Sequence, residues 1–166
     1  AYFRSRGFRD DTIRKFQLGY SLEERDAMTK AALAHGFKED VLVKTGLSYR
    51  TDDGRLLDRY HGRVIFPVNT LSGKVVAFGG RILSSDKKLA KYVNSPESII
   101  YSKSHELYGL YQARNAIVKQ QRCFLVEGYT DVISMHQSGI ENVVASSGTS
   151  LTEGQVRLLH RFTQNI

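Results

Sequence analysis

Cys123-Phe-Leu-Val-Glu-Gly-Tyr-Thr-Asp131 is typical of a short apolar strand that runs through a glycine into a helix. The pattern is then repeated, so that the end of the chain alternates strand, helix, strand and helix. This order predicts a parallel sheet with right-handed crossover helices. The predicted strands are 123–126 and 142–145, the helices are 130–139 with Thr130 as its cap and 151–162, and residues 164–166 are predicted to enter a third strand.

Glu127 follows the first apolar strand directly, at the carboxyl edge of the predicted sheet, where ligand sites of α/β folds form. Gly128 keeps the space beside this carboxylate open. Asp131 falls in the first turn of the next helix and is predicted to project toward the same edge. Two carboxylates with no His or Cys beside them favour Mg²⁺ over zinc. The spacing leaves two alternatives open: Asp131 as a partner of the helix N-terminus, and Glu127 as a solvated loop acid.

Residues 1–119 show a different pattern, that of an α+β domain with short helices and antiparallel hairpins. Asp53-Gly54 and Leu71-Ser72-Gly73 are typical hairpin turns. Pro67 lacks an N–H group, so its strand is predicted to lie at an edge or to end there. The other predicted elements are helices at 10–16, at 22–34 with Ser21 and Glu24 as a capping box and at 104–119 with Ser104 as the cap, and a polar loop at 84–98 that carries Lys87. The sequence thus predicts two domains, residues 1–119 and residues 120–166.

Positive charge is concentrated in the middle of the chain. The 166 residues carry a net charge of +7, and residues 54–122 hold twelve Lys or Arg against four Asp or Glu. The segment before them holds ten against nine, and the segment after them holds two against four. We interpret this distribution as a polyanion-binding face beside a cation-binding site, with chance clustering as the alternative.

The composition, with 41% apolar and 25% charged residues, is that of a globular protein with a core. The one cysteine, Cys123, excludes an internal disulfide framework and a multi-cysteine zinc site within these residues. No apolar run reaches the roughly 18 residues that a membrane span needs, and no signal peptide opens the chain, so we expect a cytoplasmic protein with no membrane partner. Because the sequence starts at Ala1 rather than Met, we interpret it as a fragment.

Two segments, Leu125-Val-Glu-Gly-Tyr-Thr-Asp131 and Ala145-Ser-Ser-Gly-Thr-Ser150, resemble the TOPRIM domain of bacterial DnaG-type DNA primases. The resemblance extends upstream, in the family's order, through Tyr2-Phe-Arg-Ser-Arg-Gly7, Arg63-Val-Ile-Phe-Pro67, Phe78-Gly-Gly-Arg81, Lys91-Tyr-Val-Asn-Ser-Pro-Glu97 and Leu107-Tyr-Gly-Leu-Tyr111. The Glu-Gly-Tyr-Thr-Asp segment alone also fits topoisomerases and small TOPRIM nucleases. The upstream motifs favour primases.

The resemblance implies a fragment of a DNA primase, a DNA-directed RNA polymerase that synthesises short RNA primers on single-stranded DNA during replication by metal-dependent nucleotidyl transfer. It implies a basic N-terminal subdomain that faces a truncated TOPRIM subdomain across a groove. The implied cofactor is Mg²⁺ or Mn²⁺, with zinc expected only in a domain absent from this chain. The implied partners are the single-stranded DNA template, ribonucleoside triphosphates, the RNA–DNA hybrid product and, through an absent C-terminal domain, the replicative helicase of the primosome.

Motif match also implies roles for single residues. Glu127 is expected at or beside the metal as a catalytic residue, with Asp131 as the acid that supports it, so that both are metal ligands. Lys and Arg neutralise phosphates without sequence preference, and a tyrosine offers a stacking face to an unpaired base. The residues expected to contact nucleic acid or triphosphate are Arg6, Arg63, Arg81, Lys91, Tyr92, Asn94 and Lys103.

The family's TOPRIM domain continues with an Asp-x-Asp pair at the end of its third strand, whereas this sequence ends at Ile166. The remaining metal ligands are therefore expected beyond Ile166. We expect the fragment to bind single-stranded DNA weakly through residues 54–122 and not to synthesise primers. Two alternatives stay open: a non-catalytic single-stranded-nucleic-acid-binding module, and a TOPRIM nuclease in which the same acids activate water.

Overall fold

The structure, a computed structural model, describes residues 1–86, 88–148 and 150–166. Lys87 of the predicted polar loop and Thr149 of the second TOPRIM-like segment lie outside the described residues. The chain forms two compact units. The first unit consists of Ala1–Gln17, Val68–Val75 and Ser102–Ile166, and the second unit consists of Leu18–Pro67 and Val76–Tyr101. The predicted division into two domains, residues 1–119 and residues 120–166, stays a prediction.

Short helices and antiparallel hairpins occupy the first two thirds of the chain, and a parallel strand pair follows, which confirms the predicted fold class. The helices are α1 Tyr2–Ser5, α2 Asp10–Lys15, α3 Ala27–Ala34, α4 Glu39–Lys44, α5 Leu110–Gln120, α6 Tyr129–Gln137 and α7 Glu153–His160, with a 3-10 turn at Lys103–His105. The strands are β1 Gly19–Tyr20, β2 Ser48–Arg50, β3 Leu56–Asp58, β4 Arg63–Asn69, β5 Val75–Ile82, β6 Tyr92–Asn94, β7 Phe124–Val126 and β8 Val143–Ala145.

The first unit contains the parallel pair, in which Phe124 is paired with Val143 and Val126 with Ala145. Tyr108 forms an antiparallel bridge to Ala145, with both N–H···O distances between 2.9 and 3.0 Å. Outside the pair, the Cys123 N–H donates to the Asn165 carbonyl at 2.9 Å, although no strand is assigned at 164–166. Apolar side chains from the strands and helices of this unit form one core, which includes Leu107, Leu110, Ala113, Ile117, Cys123, Val144 and Leu159.

The second unit holds most of a four-stranded sheet with the strand order β1-β4-β5-β6, and the tip of the β4–β5 hairpin belongs to the first unit. A separate hairpin pairs β2 with β3 around Gly54, whose φ of +82° favours glycine. Both predicted hairpin turns are therefore confirmed. The prediction for Pro67 is wrong, because β4 is an inner strand that continues to Asn69. Proline is tolerated there because β1 pairs only with Val64 and Ile65 and ends before Pro67.

Of the three predicted upstream helices, those at 22–34 and 104–119 start later than predicted, because long-range contacts replace the local caps. α3 begins at Ala27 rather than after Ser21, whose N–H donates to the Arg63 carbonyl at 2.8 Å and so extends the strand ladder. α5 begins at Leu110 rather than after Ser104, because Tyr108 is extended against β8 and Gly109, at φ +83°, turns the chain into the helix.

Two smaller corrections concern the loop at 84–98 and α6. The loop contains β6, which pairs antiparallel with β5 from Gly79 to Arg81. α6 begins at Tyr129 with Gly128 at its N-cap, so Thr130 is not the cap. Among the described residues, no helix combines the length and the apolar character that crossing a membrane requires.

Candidate functional site

Glu127 lies where the sequence placed it, directly after β7 and at the carboxyl edge of the parallel pair. Because Val126 is paired with Ala145, the chain leaves β7 at Glu127 and leaves β8 at Ser146 on the same edge. The Glu127 side chain is exposed and forms no hydrogen bond to any described residue. Its two oxygens are therefore available to a ligand.

The loop after β8 has an unusual backbone. Ser147 has a φ of +60° and Gly148 a φ of +83°, so two successive residues adopt the left-handed conformation. A non-glycine residue in this region is uncommon, and such residues are concentrated at functional sites. The sequence motif at 145–150 marked this loop, but no role for Ser147 followed from it, because backbone conformation at a serine has no clear sequence signal.

Asp131 lies at the third position of α6, where its Oδ2 accepts a hydrogen bond from the Gly128 N–H at 3.2 Å. Asp131 therefore acts as a partner of the helix N-terminus, which is one of the alternatives left open by the sequence. This hydrogen bond uses one of its two carboxylate oxygens. It also fixes the turn that follows Glu127, because it ties Gly128 to the first turn of the helix. Asp131 therefore supports the position of Glu127 whatever else its second oxygen binds.

Glu127 and Asp131 offer hard carboxylate oxygens of the kind that Mg²⁺ and Mn²⁺ prefer. Within the described ranges, no group of three or more His, Cys, Asp or Glu side chains is placed to hold a metal ion. Mg²⁺ commonly takes one or two protein carboxylates and completes its coordination with water and substrate phosphates. The two acids therefore fit as part of a divalent metal site.

The second unit brings four of the predicted nucleic-acid residues together on neighbouring strands. In the β5–β6 ladder Arg81 is opposite Tyr92, and Gly79 is opposite Asn94. We call residues 90–95 the edge segment, because they contain β6, the outermost strand of the sheet. Lys91 and Tyr92 are exposed on it. Residues opposite each other in a ladder share a face of the sheet, so Arg81, Tyr92 and Asn94 form one polar surface.

Arg63, in contrast, is only 8% exposed. Its Nη1 donates to the carbonyl of Ala90 at 2.9 Å and to the carbonyls of Gly80 and Lys91 at 3.3 Å each. Burial lowers the pKa of the Arg63 guanidinium. The structure thus places this residue inside the second unit and against the backbone of the edge segment.

Arg6 and Lys103 belong to the first unit. Arg6 is exposed at the C-terminal end of α1. Lys103 starts the 3-10 turn, and its carbonyl accepts a hydrogen bond from the Gln155 side chain at 3.0 Å. Gln155 is fully buried and also donates to the Glu106 carbonyl at 2.9 Å.

Gln155 is a buried structural residue to which the sequence analysis assigns no role. With Thr152 it forms the capping box of α7, since the Gln155 N–H donates to the Thr152 hydroxyl at 3.1 Å and the Thr152 N–H donates to the Gln155 side chain at 3.1 Å. The spacing Thr-x-x-Gln was visible in the sequence and could have located this helix start.

Two family models match the chain. The model described as the DNA primase catalytic core, N-terminal domain, matches residues 1–114, and the model described as Toprim-like matches residues 124–166. The DNA primase of Halalkalibacterium halodurans is 46% identical over 170 residues, which cover 99% of this chain and 27% of that protein. The chain thus spans about a quarter of the length of this curated relative.

Solved structures show the same similarity. The RNA polymerase domain of the Mycobacterium tuberculosis primase DnaG superposes with a TM-score of 0.91 at 38% identity and covers 99% of this chain and 53% of that one. The same domain in complex with a double-stranded DNA oligomer with a 6-nucleotide overhang has a TM-score of 0.90 at 38% identity, over 97% of this chain and 50% of that one.

Proposed function

The chain belongs to the family of bacterial DNA primase catalytic cores, and on that premise we propose that the intact protein is a DNA primase. Its proposed activity is the synthesis of short RNA primers on single-stranded DNA in the cytoplasm. The observation that carries the proposal is the exposed, unengaged Glu127 carboxylate at the carboxyl edge of a parallel strand pair, in a chain whose residues 1–114 match a primase-specific domain.

Glu127 and Asp131 are proposed to hold a divalent cation, Mg²⁺ or Mn²⁺. When bound, such a cation supplies positive charge to the phosphate oxygens that take part in nucleotidyl transfer. The Glu127 side chain is exposed at the sheet edge, while Asp131 holds the Gly128 turn through its hydrogen bond at 3.2 Å. The remaining ligands are proposed to lie in the longer protein, beyond Ile166.

The surface formed by Arg81, Tyr92 and Asn94, together with Lys91, is proposed to bind the single-stranded template or a triphosphate. Lys91 and Arg81 neutralise phosphates, and Arg81 can do so with two parallel hydrogen bonds. Tyr92 is exposed enough to stack on an unpaired base. Arg6 and Lys103 are proposed to contact nucleic acid or triphosphate from other places in the chain. The contact expected for Arg63 from the motif match stays a prediction, and the burial of Arg63 favours a different role.

The substrates and partners follow from the proposed activity. Ribonucleoside triphosphates are the proposed substrates, and an RNA–DNA hybrid is the proposed product. The replicative helicase is proposed to bind a part of the intact protein that this sequence does not contain. Residues 1–119 are proposed as the basic N-terminal subdomain and residues 120–166 as the first part of the TOPRIM subdomain.

The test is incorporation of labelled ribonucleotides on single-stranded DNA by the intact protein, with Mg²⁺ or Mn²⁺. Glu127→Gln removes one negative charge at the sheet edge, so we expect a loss of primer synthesis of about a hundredfold or more. The matched control is Glu24→Gln, the same change at an exposed position in the second unit, which should keep wild-type activity.

The outcome separates the proposal from its two alternatives. Products that persist in Glu127→Gln would contradict the assigned role of this carboxylate. Cleavage of the DNA in place of synthesis would favour the TOPRIM nuclease, and binding without either reaction would favour the non-catalytic binding module.

A further inference from the structure

The edge segment has little support from its own strand. β6 is three residues long and has β5 as its one neighbour in the sheet. Short edge strands are among the least stable parts of a sheet, because one row of their backbone groups lacks a strand partner. Lys91, Tyr92 and Asn94 nevertheless need fixed positions to act together on a ligand. Buried side chains that hydrogen-bond to both ends of the segment provide the missing support.

Arg63 supports the first end of the edge segment. One guanidinium nitrogen of Arg63 donates to the carbonyls of Ala90 and Lys91, and also to Gly80 on the adjacent strand β5. The Lys91 carbonyl accepts a second hydrogen bond, from the Ile82 N–H at 3.0 Å. The segment is therefore tied to β5 both through the strand ladder and through Arg63.

Tyr60 supports the other end. Its hydroxyl lies 2.5 Å from the Ser95 hydroxyl, and both side chains are buried. The Ser95 hydroxyl also accepts from the Phe78 N–H at 2.9 Å, and the Ser95 N–H donates to the Phe78 carbonyl at 2.9 Å. Two buried residues close together in sequence, Tyr60 and Arg63, thus hold the two ends of one segment.

Gly80 leaves the space in which both supports lie. A Cβ atom at position 80 would lie 3.0 Å from the Arg63 Cδ and 3.0 Å from the Tyr60 Cδ1. Gly80 is opposite Val93, and successive residues of a strand face opposite sides of the sheet. Arg63 and Tyr60 therefore pack on the face opposite to that of Arg81 and Tyr92.

We propose that Arg63 is a positioning residue that holds the edge segment in place through its backbone carbonyls and does not itself contact nucleic acid. Tyr60 has the same role at the other end of the segment. This proposal refines the contact role first expected for Arg63. The statement about nucleic-acid contact rests on the proposed function, because it requires that the edge segment binds DNA.

Lysine would not replace Arg63 in this role. All three carbonyls around Arg63 accept from one guanidinium nitrogen, Nη1. The lysine side chain is one bond shorter, so its ammonium does not reach the Nη1 position, and an ammonium is more strongly hydrated than a guanidinium. Arg63→Lys therefore keeps the charge and loses the support, so it separates charge from geometry.

The first experiment measures amide hydrogen exchange in the intact protein without DNA. In Arg63→Lys and Arg63→Met we expect exchange in residues 90–95 to accelerate about tenfold or more, while the amides of β2 and β3 keep their rates. Tyr60→Phe removes one hydroxyl and no charge, and it should accelerate exchange near Ser95. Arg55→Met, at an exposed residue that pairs with Asp53 at 2.8 Å, is the control and should leave residues 90–95 unchanged.

The second experiment is a double-mutant cycle on single-stranded DNA affinity as a function of salt concentration. Lys91→Ala should weaken binding about tenfold and reduce the salt slope by about 0.7, the value for one lost phosphate contact on a single strand. Arg63→Met should weaken DNA binding and reduce the salt slope by similar amounts, because Lys91 is then no longer held in position. The double variant should then bind no more weakly than either single variant, because both changes remove the same contact.

Three results would overturn the proposal in different ways. Unchanged exchange in residues 90–95 of both Arg63 variants would show that Arg63 does not hold the segment. Accelerated exchange throughout the second unit would show general destabilisation. Additive losses, with a second reduction of the salt slope in the double variant, would show that Arg63 contacts DNA directly.

The proposed function and the positioning role fail separately. Wild-type DNA affinity in Lys91→Ala would overturn the DNA-binding role of the edge segment. The exchange rates, measured without DNA, would still decide whether Arg63 and Tyr60 hold it.

Discussion

His136 is a buried histidine, 6% exposed, in the first unit. Its ring packs edge-on against Phe16 with centroids 5.1 Å apart, and its Nε2 has no hydrogen-bond partner among the described residues. Burial lowers the pKa of His136, and the positive charge of Lys15 lowers it further, while Glu141, with its Oε1 4.0 Å from Nε2, opposes both. The folded protein therefore favours the neutral ring.

This arrangement predicts a loss of stability in mild acid. The pKa of such a histidine is lower in the folded state than the ordinary value near 6.5. Its contribution to the free energy of unfolding is complete above 6.5 and is lost as the pH drops through the folded pKa. The free energy of unfolding should fall more steeply in the wild type than in His136→Gln as pH is lowered from 7 to 5, by at most about 1.4 kcal/mol per pH unit. Urea unfolding at several pH values measures both slopes, and equal slopes would contradict the prediction.

Single residues also show which features of the candidate site have a local sequence signal and which do not. Glu127 was found because its signal is local: an apolar strand, an acid and a glycine in succession. The support role proposed for Arg63 has no such signal, because its hydrogen-bond partners at residues 90 and 91 are 27 and 28 positions away. A basic residue in a basic segment was therefore interpreted as a ligand contact.

At the scale of elements, α3 is held by a residue from another element. Asp58, at the end of β3, is 1% exposed and accepts hydrogen bonds at 2.8 Å from the N–H groups of Met28 and Thr29 in the first turn of the helix. The Thr29 hydroxyl also lies 2.5 Å from Asp58 and 2.7 Å from the Ser48 hydroxyl. A buried carboxylate thus joins the helix N-terminus to the β2–β3 hairpin.

Asp58→Ala should lower the free energy of unfolding by about 2–4 kcal/mol, because it removes the carboxylate that accepts from the half-buried Met28 N–H, the buried Thr29 N–H and the buried Thr29 hydroxyl. Asp58→Asn keeps an acceptor oxygen and should cost less. Asp53→Ala, an exposed aspartate in the same hairpin, should leave stability nearly unchanged. Urea unfolding followed by circular dichroism measures these differences. A stability of Asp58→Ala equal to that of Asp53→Ala would refute the capping role.

The elements that sequence patterns predicted correctly are those with local causes. The alternation of apolar strands and helices located β7, α6, β8 and α7, and turn glycines located both hairpins. The helix starts at Ser21 and Ser104 were wrong because partners far along the chain satisfy the backbone there: Asp58 for α3, and Ala145 for the strand-like residue that precedes α5. Such pairings follow from the tertiary fold, which a capping motif does not contain.

At the scale of the whole molecule, the first unit is assembled from three separated stretches of chain, and one glutamine side chain makes two hydrogen bonds to the first of them. The Gln137 amide, at the end of α6, accepts from the Arg9 N–H at 2.8 Å and donates to the Gly7 carbonyl at 2.9 Å. It thus joins residues matched by the primase N-terminal domain model to residues matched by the Toprim-like model.

Gln137→Ala should loosen the beginning of this unit. We expect faster trypsin cleavage after Arg4, Arg6 and Arg9 and faster amide exchange at Arg9, because the alanine neither accepts nor donates. Gln164→Ala removes an exposed glutamine whose side chain donates to the His160 carbonyl at 3.3 Å, and it serves as the control. Mass spectrometry of the early digestion products measures the cleavage rates. Identical digestion of the two variants would show that other contacts hold this stretch.

Gly80 has a consequence for the evolution of the molecule. Position 80 is buried, and any larger side chain there would meet Arg63 and Tyr60 at 3.0 Å. A side chain at position 80 therefore requires Arg63 and Tyr60 to move, so we expect substitutions at positions 60, 63 and 80 to be correlated. Selection on the exposed edge segment then extends to a buried glycine, and a mutational survey limited to the surface would overlook it.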